Sequence, residues 1–129
     1  MKKIILIPIC FLIFNCGLTF NSEVASTNRQ NLNKISLGDT KEVVIEKMGG
    51  IKIITTYESQ INFPYKTEIL VDKNKTYEVL FYFSNIIKDD SKITDDELTP
   101  IVFFEGKVIG YGWMFVEDNI EKYQLDIRN

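Results

Sequence analysis

The sequence predicts an α+β fold: two short N-terminal helices packed on an antiparallel β-sheet of three to four strands. Three observations point there. A helical-period stretch with a cap signal and a Gly-Gly stop lies in the first half of the chain. Period-two alternation recurs in the second half. No strand–helix–strand alternation connects the two halves, so a parallel sheet is not indicated. One sheet face is expected beneath the helices and the other partly open.

In chain order, a first short helix is expected to begin near Asn28, with Leu32 and Ile35 on the core side. The second lies in "LGDTKEVVIEKMGG", where Asp39 or Thr40 is the N-cap and Asp39 with Glu42 approximates a capping box. Val44 and Met48 share its apolar face, and Gly49-Gly50 stops it after about nine residues. "IKIITTYESQINFP" reads as strand or loop, and Pro64 bounds the next element.

In "YKTEILV", Tyr65, Thr67, Ile69 and Val71 alternate with Lys66, Glu68 and Leu70. A turn at "DKNK", with Asn74 tolerant of left-handed backbone, leads into "TYEVLFYF". "PIVFF" and "KVIGYGWMFV" then form a hairpin about Glu105-Gly106, with Gly106 at positive φ. The tail from Val116 is open between a helical turn and an added strand.

The stretch "ITDDELTP" (93–100) holds the densest cluster of ionisable groups. Thr94 as N-cap and Glu97 three residues on complete a T-x-x-E capping box, and Ile93 with Leu98 supplies the hydrophobic staple. Asp95 and Asp96 then sit in a first turn, where the helix dipole favours negative charge by roughly 0.3–1 kcal/mol each. Pro100 ends the turn. The rival reading is a divalent cation held by the acidic segment 89–97. It lacks the alternating spacing and central glycine of a calcium loop, and no metal site is assigned.

The chain contains no histidine, the commonest general acid–base. It has no Gly-rich phosphate loop and no zinc-type spacing. No catalytic residue and no cofactor is therefore assigned, and the protein is expected not to be an enzyme. The aromatic residues draw more attention. In an extended "VIGYGWMF", Ile109, Tyr111, Trp113 and Phe115 share one face, and Gly110 and Gly112 the other. A strand glycine often marks close approach of another backbone. The stripe is either domain core or, at Tyr111 and Trp113 together with Tyr65, a partner contact.

At the N-terminus, Lys2 and Lys3 precede an apolar run from Ile4 to Phe14. The run is too short to span a bilayer, which takes about 20 residues, and it fits a secretory signal peptide. "LIFNC" resembles a bacterial lipobox, which makes Cys16 the lipidated N-terminus. The organisation expected is signal peptide at 1–15, lipidated N-terminus and flexible tether at 16–27, and one α+β domain at 28–129. Cys10 would leave with the signal, so no disulfide is expected. The 129-residue chain carries 15 basic and 18 acidic residues, a balance that argues against nucleic acid as a partner. Because one acyl chain holds a membrane only reversibly, resemblance to lipoproteins with several implies a lasting lipid anchor. Gly17 stands where an inner-membrane lipoprotein would carry Asp, which favours the periplasmic face of the outer membrane.

"ISLGDTKEVVIEKMG" resembles the helix entry of the small outer-membrane lipoproteins of the SmpA/OmlA (BamE-like) type, with Asp39 in place of Met and Met48 in place of Leu. Between "FPYKTEILVDKNKTYEVLFYF" and "DDELTPIVFFEGKVIGYGW" the chain is similar to a related group of lipoproteins of unknown function. The resemblance implies a fold shared with β-lactamase-inhibitor-type proteins and a binding role without catalysis. The expected function is that of an adaptor like the small accessory subunit of outer-membrane β-barrel assembly, with envelope proteins as partners. The alternative is a small-ligand or cation-binding surface lipoprotein using segment 89–97.

Overall fold

The computed structural model describes residues 16–50, 63–72, 74–88, 90 and 92–123. The signal-peptide reading at 1–15, the strand-or-loop question at 51–62 and the end of the tail from 124 lie outside the described residues.

Helix α1 (Cys16–Leu32) starts earlier than the sequence suggests. The stretch expected to be a tether, 16–27, is helical, and the helix expected from Asn28 is only its last part. The polar composition hides a face: Ala25, Asn28 and Leu32, spaced three and four apart, are all buried. Asn28 Nδ2 donates to the Phe83 carbonyl at 2.7 Å, and Arg29 donates to the Ser84 carbonyl at 2.8 Å. These bonds give buried backbone groups the partners they require.

Helix α2 (Lys41–Lys47) has Thr40 as its N-cap, with Val43 N–H donating to Thr40 Oγ1 at 3.4 Å. Asp39 is not the cap. Its carboxylate instead accepts from Ser36 N–H at 2.8 Å and from Lys47 Nζ at 2.7 Å. The helix ends as the Gly-Gly pair predicts. Gly49 takes φ +93° and donates to Glu46 O, and Gly50 donates to Ile45 O at 2.7 Å. That pair of bonds is a Schellman motif.

Strands β1 (Lys66–Asp72), β2 (Lys75–Phe83), β3 (Leu98–Phe104) and β4 (Lys107–Tyr111) form one antiparallel sheet in the order β1-β2-β3-β4. Together with the helices this is an α+β arrangement. Phe104 pairs with Lys107, leaving a two-residue turn in which both Glu105 (φ +50°) and Gly106 (φ +76°) are left-handed. Such a turn matches the right-handed twist of the strands it joins. Pro100 sits inside β3 opposite Phe81. Its carbonyl accepts Gly112 N–H at 2.8 Å, beyond Tyr111, the last paired residue of β4. The missing proline donor therefore falls where the β3–β4 ladder has ended.

The last strand is shorter than "KVIGYGWMFV" suggests. Gly112 turns left-handed at φ +86°, and α3 (Trp113–Tyr123) begins at once. Trp113 and Phe115 therefore do not continue the Ile109/Tyr111 face. Gly110 explains itself through α3: a Cβ there would lie 2.3 Å from the Phe115 ring. What approaches the strand glycine is thus a side chain of this chain, not another backbone.

Alternate residues of β2 enter two buried clusters. Tyr77, Val79, Phe81 and Phe83 join Ala25 of α1 and Val116 of α3. Leu80 and Tyr82 join Val44 and Met48 of α2, together with Leu32 and Ile35. The sheet face expected to be open is thus buried along β2 and β3. On the Leu80 and Ile101 face, side chains stand clear along β1 and at Thr76 and Tyr111.

Candidate functional site

The acidic segment resolves into separate local tasks. Asp95–Glu97 form a single 3-10 turn with Thr94 as N-cap and a closed capping box. Glu97 is buried. Its Oε2 accepts Thr94 N–H at 2.9 Å, and its Oε1 accepts Ile87 N–H at 3.0 Å and Lys88 N–H at 3.4 Å. The Thr94 and Ile87 N–H groups hold this carboxyl below its ordinary value of 4.5, against the opposing effect of burial. The Glu97 carbonyl accepts from Ser84 and Asn85 N–H, so one residue fixes both the turn and the preceding loop. Ile93 and Leu98, the proposed staple, both belong to the first cluster.

Asp95 faces Lys66 Nζ at 3.0 Å, and Lys66 also bridges to Glu68 at 3.1 Å. The ammonium lies 4.5 Å from the centre of the Phe81 ring, a cation–π distance. Burial opposes the charge on Lys66, but the bonds to Asp95 and Glu68 outweigh it and raise its pKa. Among the described residues no group of three or more His, Cys, Asp or Glu could hold a metal ion. Glu97 and Asp95 are already committed to backbone donors and to a lysine.

The three aromatic positions proposed as a contact are separated. Trp113 is half-buried: its Nε1 donates to the Leu98 carbonyl at 2.8 Å, and its ring lies 6.1 Å from that of Phe81. It anchors α3 to the sheet. Tyr111 is exposed at the end of β4, and Tyr65 is exposed at the start of β1, on the opposite edge. No single patch contains all three.

A surface of which the sequence singled out only Tyr65 runs along β1 and the three residues before it. From Phe63 to Val71 exposure alternates without a break. Phe63, Tyr65, Ile69 and Val71 are 63%, 55%, 65% and 70% exposed, and Thr67 between them is exposed too. The usual pattern of apolar inside and polar outside is inverted here. Lys66, Glu68 and Leu70 are paired with Phe81, Val79 and Tyr77, so they face the first cluster. The sequence shows this alternation but not its direction, because direction depends on the register with β2.

The two edges of the sheet differ. Along β4, Gly38 N–H donates to Val108 O at 2.8 Å, Val108 N–H donates to Asp39 O at 2.9 Å, and Thr40 bridges to Lys107. A register shift between Val102 and Phe103 further interrupts that side. The outer edge of β1 pairs with no strand among the described residues.

These features define the class: a small α+β domain whose four-stranded meander has one covered edge and one apolar edge that pairs with no strand among the described residues. The chain belongs to the family described as "Protein of unknown function (DUF3192)", which matches residues 21–118, from within α1 to within α3. No curated protein and no solved structure matches it. Among the described residues no helix is long and apolar enough to cross a membrane.

Proposed function

We propose that the protein is a non-catalytic lipoprotein of the cell envelope, held by lipid on Cys16, that works as a protein-binding adaptor. The observation that carries the binding role is the exposed row Phe63, Tyr65, Ile69 and Val71, along and just before a strand whose outer edge pairs with no other among the described residues. Such an edge offers backbone donors and acceptors for strand addition and apolar side chains for selectivity. The resemblance of "ISLGDTKEVVIEKMG" to the SmpA/OmlA helix entry supports the periplasmic face of the outer membrane and makes barrel-assembly proteins candidate partners. The acidic balance of the chain favours protein over nucleic acid.

The test is gentle-detergent co-purification of the full-length chain from its own membranes, beside Cys16→Ala. Recovery of an envelope protein in near-stoichiometric amount, reduced by Cys16→Ala, is the expected result. Recovery of none, with the chain still in the membrane fraction, would overturn the adaptor role. A Cys16→Ala chain that stays membrane-bound would overturn the anchor.

A further inference from the structure

Edge strands in folded proteins are usually blunted by an outward charge, a proline, a bulge or a covering segment. The β4 edge has two of these devices, the Gly38–Thr40 backbone and the register shift. β1 has neither. Its seven residues pair with β2 without a shift, and two of its charged residues, Lys66 and Glu68, turn to the opposite face, where Lys66 bridges to Glu68 and to Asp95. What remains outward is apolar apart from Thr67.

That outward row is also self-complementary. Reading from Phe63 and Tyr65, which precede β1, to Val71 within it, aromatic residues stand at one end, β-branched aliphatics at the other and a threonine in the middle. Two such rows laid antiparallel about Thr67 set Tyr65 opposite Ile69 of the second copy and Phe63 opposite Val71 of the second copy. Each of these pairs forms twice, with Thr67 meeting its own counterpart on the axis. Aromatic against β-branched and Thr against Thr are among the favourable cross-strand pairs. On the other face the same register sets Lys66 opposite Glu68 of the second copy, matching charge with charge. Pro64, with no N–H to donate, marks where the backbone ladder ends.

We propose that two copies of this chain join β1 to β1 in antiparallel register about Thr67, making one eight-stranded sheet across a two-fold axis. A closed, isologous contact of this kind consumes both free edges at once. The proposal rests on the reading of the β1 edge as a protein-binding surface and names the first partner as a second copy.

The test uses the full-length chain in detergent. Sedimentation equilibrium should show a dimer. Thr67→Lys, which sets two like charges face to face on the axis, should weaken it about tenfold, with Thr67→Val retaining it and the far-UV circular dichroism of both unchanged. A benzoylphenylalanine photo-crosslinker at position 69 should capture Tyr65 or its neighbours on a second copy, identified by mass spectrometry of the joined peptides. A monomer at every concentration, an unaltered dimer in Thr67→Lys, or capture outside 63–67 would overturn the proposal. In native membranes, capture of a different envelope protein from position 69 would overturn self-pairing while leaving the adaptor reading standing. Capture of no protein at all would overturn both.

Discussion

Glu97 shows how much one buried carboxylate can organise. Three backbone N–H groups converge on its two oxygens, and a glutamine could offer them only one acceptor oxygen. Glu97→Gln should therefore lower unfolding free energy by about 2 kcal/mol, more than Thr94→Ala, as read by urea titration. The same geometry sets a pH dependence. A carboxyl held below 4.5 in the folded state contributes its full stability above that value and loses it as pH falls through the lower native value. The acid limb of a melting-temperature profile should be flatter in Glu97→Gln than in the parent protein. Tyr82 presents the opposite case. It is buried, and its hydroxyl has no hydrogen-bond partner among the described residues. Burial pushes its pKa up to about 12. Tyr82→Phe should leave stability unchanged or raise it by about 1 kcal/mol, and a clear loss in urea titration would show that the hydroxyl does have a partner.

At the scale of elements, turns and caps were legible because their rules are local. The Gly49-Gly50 stop, the Glu105-Gly106 hairpin and the Thr94/Glu97 box all depend on residues within one turn of each other. The β4-to-α3 junction was not. "KVIGYGWMFV" alternates well enough to pass for one long strand, but Val116 and Trp113 also lie three apart, and Gly112 can end either pattern. What decides it is the Phe115 ring filling the space that a side chain at Gly110 would need. Gly110→Val should displace that ring and cost about 1–3 kcal/mol, with Trp113 fluorescence shifting as α3 loosens. If stability and emission are both unchanged, the packing of α3 on β4 is wrong.

For the whole molecule, the arrangement of charge weighs against cation binding as the main role. Of the acidic segment, Glu97 is satisfied by backbone donors and Asp95 by Lys66. Millimolar calcium should leave the melting temperature unchanged, and a calcium-dependent rise would revive that reading. Helix α1 changes the picture of the N-terminus as well. If Cys16 carries lipid, the link from membrane to sheet is the part of α1 that precedes the buried Ala25, a helix rather than a loose tether.

By itself the sequence determined the α+β class, the four strands as segments, the caps and stops, and the local role of the acidic turn. Each of these arises from periodicity or from side chain–backbone bonds between near neighbours. The tertiary structure alone decided that α1 reaches back through the polar stretch, that Trp113 anchors a helix, and that β1 turns its apolar side outward at an open edge. Those outcomes depend on strand order and on register between strands distant in sequence, and no local pattern encodes either one.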